Sequence, residues 1–409
     1  MVSERIIEEV IDSWHDRIMK EKVIERDLSK ALVNSLTYEE VTVITGIRRS
    51  GKTYMMYDLL QKHGGTYVNF EDDQLRGFQI EDFEKLLDIV IQRGQKILYL
   101  DEVQEAPGWE KFAHRAHTQV KMVVTGSNSR LLSSDFSSAL VGRTMTFVSK
   151  PLNYNEFLRF RDERPNKISL LEYMKLGGFP RIALTGNTAL AKEYLDRIIY
   201  YDVLRYSTLR NSKVLMDLAL YLLSNIGKEF SYRSLKDVTG LKHDMTVKKY
   251  LDLLEKVFLF TTIKRYSGSL RKQHTYPKKV YAVDPALIVL GKRLDDDRGL
   301  VLENIIFNHL ASSWDVYYCK NGGDVDFLLC QGTRPKEAVN VTFEVVDKNG
   351  LERETKSLLK IAKDHDVKAR LVSVYSVKGL PDSIEGNFAH RYLSRKETEP
   401  VKPGYGLRF

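Results

Sequence analysis

Residues Gly46-Ile47-Arg48-Arg49-Ser50-Gly51-Lys52-Thr53 follow the pattern GxxxxGK[ST]. Glycines at these positions let the backbone turn tightly enough for successive N–H groups to point inward, the geometry of a polyphosphate cradle. Lys52 supplies a point charge for β- and γ-phosphates, and Thr53 a hydroxyl for Mg2+. Gly46, Arg49, Ser50, Gly51, Lys52, Thr53 and the adjoining Tyr54 are therefore candidate nucleotide contacts, with ATP and Mg2+ as the implied ligands. A second run, Ile97-Leu98-Tyr99-Leu100-Asp101-Glu102, ends an apolar stretch in two carboxylates. Asp101 would hold the Mg2+ shell through water. Glu102 would polarise an attacking water, because hydrolysis needs a base opposite the leaving phosphate. In a third run, Val123-Val124-Thr125-Gly126-Ser127-Asn128, either Ser127 or Asn128 is a polar sensor of the terminal phosphate, and Asn128 is the candidate taken. Arg143, in Leu140-Val141-Gly142-Arg143, either caps a helix at the surface or reaches a neighbouring subunit's nucleotide as an arginine finger.

These side chains need strand ends to hold them. Val41-Thr42-Val43-Ile44-Thr45 is short, β-branched and closed by glycine, which predicts a buried parallel strand just before the loop. Further strands are expected over 66–70, 96–101, 120–125 and 145–148. Helical patterns over 52–63, 80–92, 107–118 and 131–141 separate them. Helical periodicity also fills 1–36, through Ile6, Ile7, Val10, Ile11 and Trp14. Strand alternating with helix predicts an α/β domain with a parallel sheet over residues 1–153.

The pattern changes after Pro151. Residues 154–210 read as a helical lid, broken at Gly177-Gly178-Phe179-Pro180. Over 211–283, three helical segments precede a strand, a glycine turn at Ser267-Gly268 and a second strand, the outline of a winged helix. The expected recognition helix spans 244–256, with Lys242, Lys248 and Lys249 near its first turns. Residues 261–279 carry Lys264, Arg265, Arg271, Lys272, Lys278 and Lys279 with no acidic residue, and Tyr266, His274 and Tyr276 interleave them. Such cations displace counterions from phosphates, and the rings would stack on unpaired bases. The competing readings are a solvated basic hairpin or a protein-binding winged helix. Few Asn, Gln or Arg side chains sit at the helix start, so binding by shape is expected rather than base readout.

The segments Gly46–Thr53, ILYLDEVQ, MVVTGSNSRLL and LVGRT through PLNYNEF resemble AAA+-type ATPases of archaea and bacteria. In that family the P-loop NTPase core is followed by a winged helix and a C-terminal domain of restriction-endonuclease-like fold. The resemblance implies Walker A roles for Lys52 and Thr53, Walker B roles for Asp101 and Glu102, a finger role for Arg143, and a sensor role for Arg181. It also implies that residues 284–409 form a nuclease-shaped α/β domain. Active nucleases of that shape need two carboxylates and Glu-x-Lys. Glu303 and Asp326 would supply carboxylates, but the aligned positions read Asn340-Val341-Thr342, and Lys336-Glu337 fall on the wrong side of the register. The domain is therefore expected to be catalytically degenerate.

The chain has 409 residues, enough for several cores. Its two cysteines, Cys319 and Cys330, exclude a disulfide scaffold and fit a reducing cytoplasm. No run of 18 apolar residues occurs, which argues against a membrane partner. A formal charge of +8 permits nucleic acid without requiring it. The expectation is an ATP-hydrolysing, DNA-binding homo-oligomer, such as a hexamer, acting on duplex or branched (Holliday-junction-like) DNA in repair or recombination. The alternatives are a nucleotide-switched protein-binding scaffold and an ATP-gated metal-dependent nuclease.

Overall fold

The computed structural model describes residues 1–126, 140, 142–204, 211–291, 297–320 and 323–395. Ser127, Asn128 and nearly all of the expected helix over 131–141 lie outside the described residues. The chain divides into two compact units between Lys150 and Pro151.

The first unit contains α1 (Glu4–Ile18), α2 (Ser29–Ser35), β1 (Val41–Gly46), α3 (Lys52–His63), β2 (Thr66–Asn69), α4 (Asp82–Gln92), β3 (Ile97–Asp101), α5 (Trp109–Ala116), β4 (Lys121–Thr125) and β5 (Thr144–Ser149). Five parallel strands form one sheet in the order β2-β3-β4-β1-β5. Alternation along each strand sends side chains to opposite faces. Val43, Val68, Leu98, Leu100, Met122 and Val124 join one core with α4 and α5. Ile44, Tyr67, Tyr99 and Val123 join the other, with Met55, Met56, Leu59 and Leu60 of α3. Helix α1 serves both: Ile7, Val10 and Ile11 enter the first core and Ile18 the second. Each fully buried aliphatic side chain contributes about 1.5–3 kcal/mol. The arrangement makes β1 and β3 non-adjacent, with β4 between them. All three strands end on the same edge of the sheet because they run parallel.

The second unit opens with α6 (Tyr154–Arg161), α7 (Lys167–Leu176), α8 (Pro180–Thr185) and α9 (Leu190–Arg197), which runs into a π-helical turn, Ile198–Val203. The Gly177-Gly178 break is fixed by Asp284. Its carboxylate accepts from Gly178 N at 2.6 Å and Ala286 N at 2.8 Å. A Cβ on Gly177 would lie 2.0 Å from Asp284 Oδ1, so the position requires glycine. Next come α10 (Ser212–Ser224), β6 (Glu229–Phe230), α11 (Tyr232–Thr239), α12 (Asp244–Lys256), β7 (Phe260–Lys264), α13 (Leu270–Thr275) and β8 (Lys278–Ala282). The strands form an antiparallel sheet, β6-β8-β7. The connection expected to be a glycine turn carries a six-residue helix instead, α13. Leu270, Arg271, Lys272 and Gln273 are good helix formers, and the segment is long enough for them to close a turn.

The rest comprises α14 (Pro285–Ile288), α15 (Arg298–Leu310), β9 (Asp315–Cys319), β10 (Val325–Gln331), β11 (Arg334–Thr342), α16 (Lys348–His365), β12 (Lys368–Ser373), β13 (Ile384–Phe388) and α17 (Ala389–Ser394). A mixed sheet has the order β13-β12-β11-β10-β9. Leu358 and Ile361 of α16 cover one face over Leu328, Cys330, Ala338 and Leu371. Near the other face, Phe307 of α15 stacks on Tyr281 of β8 with ring centroids 4.2 Å apart. Asn304 brackets β8 as well, accepting from Ala282 N at 2.8 Å and donating to Ala282 O at 2.9 Å. Both cysteines are free and buried. Among the described residues, no helix is long and apolar enough to cross a membrane.

Candidate nucleotide site and basic face

The turn after β1 is shaped by three residues with positive φ: Gly46 at 136°, Arg49 at 68° and Gly51 at 95°. Alternating these with ordinary backbone makes a nest of converging N–H groups, suited to an anion. Gly46 has a second reason to be glycine, since a Cβ there would lie 2.0 Å from Ser149 O at the end of β5. Lys52 opens α3 and is 5% exposed. Its Nζ donates to Gly46 O at 3.1 Å and Ile47 O at 3.2 Å, folding the ammonium back over the loop. Ser50 is buried; Thr53 is half-buried, and Arg49 and Tyr54 are exposed.

Asp101 ends β3 and is fully buried. Tyr67 of β2 donates its hydroxyl to Asp101 Oδ2 at 2.7 Å, and Thr125 of β4 donates to Oδ1. The Thr53 hydroxyl also favours the charged form of Asp101. Burial pushes the Asp101 carboxyl up, Glu102 pushes it further, and the three hydroxyls pull it back. A divalent cation would reverse that balance, so the residues present fit Mg2+ held between Thr53 and Asp101. Glu102 sits at φ 53°, an uncommon conformation for a side chain with a Cβ. Its N–H donates to Thr125 Oγ1 at 3.1 Å, and Gln104 Nε2 donates to its carboxylate. Thr125 thus ties the Asp101 carboxylate and the Glu102 backbone to the central strand. Arg48, within the loop, lies 3.9 Å from Glu71 just past β2. Burial and then Glu102 raise the Glu71 carboxyl, with Arg48 opposing.

Spacing alone did not reveal Tyr67, Thr125, Glu71 or Gln104. The only local signal was the polar residue ending an apolar strand at Thr125. Arg143 is not brought to the loop of its own chain. It precedes β5, its carbonyl accepts from Val41 N at 2.9 Å, and its guanidinium donates to His114 Nε2. That is the opposite end of the sheet from Gly46. Arg181 is exposed on α8, in the second unit.

The predicted basic residues of the second unit separate into two sets. Lys242, Lys248 and Lys249 are exposed around the start of α12, and Arg271 and Lys272 are exposed on α13. Lys264, Arg265, Lys278 and Lys279 are only half-exposed or less. Arg265 lies over the Tyr276 ring at 4.6 Å, and Lys278 donates to the Tyr232 hydroxyl at 2.8 Å. Lys279 differs most from expectation. Its side chain is 15% exposed, and its Nζ lies 3.3 Å from Glu303 Oε1 and 3.8 Å from Asp326 Oδ1. Burial lowers this ammonium, but Glu303 and Asp326 outweigh that and raise it. The expected stacking ring Tyr266 is engaged too, against Tyr317 at 5.8 Å and His365 at 5.2 Å.

The carboxylates expected from a nuclease-shaped domain do meet, but around that lysine. Glu303 of α15 accepts from the Tyr281 hydroxyl at 2.7 Å; burial pushes it up to about 7, with Asp326 adding to the rise and Lys279 opposing it. Asp326 of β10 accepts from Val341 N at 2.8 Å, while its own N–H donates to Asn340 Oδ1 at 3.1 Å. Among the described residues, no group of three or more His, Cys, Asp or Glu side chains could hold a metal ion.

Residues 38–158 match the AAA domain family, and residues 167–298 match a domain family of unknown function. An uncharacterized protein of Methanocaldococcus jannaschii, MJ1544, is 31% identical over 398 residues, covering 89% of this chain and 87% of its own. An uncharacterized protein of Haemophilus influenzae is 28% identical, covering 88% of this chain and 98% of its own. Among solved structures, the Walker-type ATPase PABY2304 of Pyrococcus abyssi aligns at 16% identity with a TM-score of 0.45, covering 67% of this chain and 99% of that one. The chain carries an AAA-type ATPase domain and belongs, over most of its length, to one family with the uncharacterized Methanocaldococcus jannaschii protein MJ1544.

Proposed function

We propose that the protein hydrolyses ATP in the first unit and binds DNA through the exposed cations of the second. The observation that carries the hydrolytic part is the meeting of the loop with Asp101 and Glu102 at parallel strand ends, cross-tied by Thr125. The backbone at Gly46, Arg49, Ser50 and Gly51 would hold the polyphosphate, and Lys52 would turn from its carbonyl partners to the β- and γ-phosphates. Tyr54 would flank the nucleotide. Mg2+, held by Thr53 and Asp101, would offset charge on the phosphate oxygens. Glu102, with its backbone fixed by Thr125 and its carboxylate by Gln104, would orient and deprotonate the attacking water. Asn128 remains the proposed sensor of the terminal phosphate, and Arg181 a second proposed sensor residue. Arg143 would act on another copy's nucleotide, which makes the active form an oligomer.

The DNA part rests on the order α10, β6, α11, α12, β7 and β8, with the three strands joined in one sheet, which supports a winged helix with α12 as its recognition helix. Its contacts would be Lys242, Lys248, Lys249, Arg271 and Lys272. The sheet between α15 and α16 supports a restriction-endonuclease-like relation, and branched DNA in repair or recombination is its proposed target. Lys279 between Glu303 and Asp326 favours a non-cleaving version of that domain over the metal-dependent nuclease. The proposed location is the cytoplasm.

The test measures ATP turnover and DNA affinity against salt, for single-stranded, duplex and four-way-junction DNA. Lys52→Ala should lose nucleotide binding. Glu102→Gln should keep binding and lose turnover by about 10²-fold or more. Arg143→Ala should lose turnover only under conditions where the wild type oligomerises. The paired change Arg271→Ala with Lys272→Ala should lower the salt slope by about two. Salt-insensitive or absent DNA binding would favour the protein-binding scaffold.

A further inference from the structure

Arg26 lies between α1 and α2, outside residues 38–158 matched to the AAA domain. It is 7% exposed, which is rare for arginine. Its Nη1 donates to Ser50 O at 2.7 Å, and its Nη2 donates to Lys150 O at 2.9 Å. One guanidinium thus joins the phosphate loop to the residue that follows β5. The Ser149 hydroxyl approaches the same Ser50 oxygen at 3.5 Å.

We propose that Arg26 is a positioning residue for the phosphate loop: it holds the Ser50–Gly51 peptide in the orientation that binds phosphate. The argument starts from the planar trans peptide, in which the C=O of one residue and the N–H of the next point in opposite directions. Fixing Ser50 O on the guanidinium therefore fixes the direction of the Gly51 N–H. Without that bond the peptide has a second choice, because glycine accepts φ of either sign. In the flipped form a carbonyl oxygen would face the polyphosphate, and a donor would be exchanged for a repulsive acceptor. Arginine suits the task because its planar fork holds two carbonyls in fixed geometry, whereas lysine presents one point charge. The guanidinium also places a buried positive charge next to a loop meant for polyanions.

This inference rests on the ATP reading of the same loop. Its test is equilibrium binding of a fluorescent ATP analogue to the full chain, with KM and kcat for ATP measured alongside. Arg26→Ala should weaken binding and raise KM by roughly 10- to 100-fold, the range of one lost charge-assisted hydrogen bond. Its kcat at saturation should change by less than about threefold, because the loop adopts the same form once filled. Arg26→Lys should lie between the two, and millimolar guanidinium should restore part of the affinity of Arg26→Ala. If Arg26→Ala does not fold, the lysine variant carries the test alone and should still show raised KM with near-normal kcat. Folded Arg26→Ala with wild-type affinity would overturn the brace, and so would a loss falling on kcat alone. A wild type that binds no ATP would instead overturn the nucleotide reading itself.

Discussion

Replacing Lys279 by methionine removes one charge from a cluster of three and keeps most of the aliphatic volume. The two carboxylates left behind are nearly enclosed, with side-chain exposures of 8% for Glu303 and 22% for Asp326. Removing one member of a buried pair costs about 3–5 kcal/mol when the other charge is stranded. Two features reduce that figure here. Asp326 is partly reached by water, and Glu303, already at about 7, can take up a proton near neutrality. The expected loss at pH 7 is therefore ~2 kcal/mol. Its pH dependence has a definite sign. Lys279 holds the Glu303 carboxyl down, so the variant's folded-state value rises above about 7, away from the unfolded value. A carboxyl raised by folding favours the folded state at low pH, and that stability is lost as pH rises toward the folded value. The deficit of Lys279→Met against wild type should thus grow between pH 6 and pH 8, by about 1 kcal/mol. Urea unfolding followed by circular dichroism at the two pH values reads it, and Glu303→Gln in the same chain should remove most of the pH dependence. DNA affinity against salt supplies the second arm. Lys279→Met should keep the wild-type salt slope, because its charge faces carboxylates rather than solvent. A variant as stable as wild type at pH 8, with a slope lower by about one, would refute the reasoning and return Lys279 to the exposed cations.

Tyr67→Phe should destabilise the nucleotide-free protein by about 1.5–3 kcal/mol, since it strips a 2.7 Å donor from a buried carboxylate. Urea unfolding of the two proteins measures this, and a difference under 0.5 kcal/mol (roughly the scatter of surface substitutions) would mean the Tyr67 bond does not support Asp101. Burial pushes Asp284 up to about 7, against the backbone donors Ala286 and Gly178. Its contribution therefore favours the folded state below about pH 4 and is lost as pH rises through about 7. Asp284→Asn should flatten the fall in stability between pH 5 and pH 7.5, and an unchanged slope would show that Asp284 does not titrate in this range.

The parts legible in the sequence were those whose cause is local. The stretch β1–loop–α3 reads directly, because a buried parallel strand is a continuous apolar run and the loop's glycines sit where positive φ is needed. Helices α3 and α12 follow from periodicity for the same reason. Strand order is different, since β4 enters between β1 and β3 through pairings far apart in the chain. That insertion is what lets Thr125 touch Asp101 and Glu102 together. Arg26 and Tyr67 act on the site from 24 and 34 residues away, at distances no motif encodes. The basic stretch over 261–279 misled for a related reason. Its net charge is visible in sequence, but the carboxylates that absorb Lys279 come from α15 and β10.

The placement of Arg143 carries a consequence for how the site could be completed. Strand β1 runs from Val41, beside Arg143, to Gly46 at the loop, and six residues of strand span roughly 16 Å. An arginine side chain is too short to cross that distance along the sheet. Among the described residues of the first unit, the cations at the loop edge include Lys52, Arg48 and Arg49, with Arg26 behind them. Of these, Lys52 is folded onto carbonyls of the loop and Arg48 lies near Glu71, so both change partners if polyphosphate enters. A single copy would then bind nucleotide more readily than it hydrolyses it, since the first task needs the cradle and the second needs charge placed opposite the leaving group. If Arg143 supplies that charge, it does so to another copy, and the sheet edge bearing His114 and Arg143 is the surface that must meet a neighbour's loop.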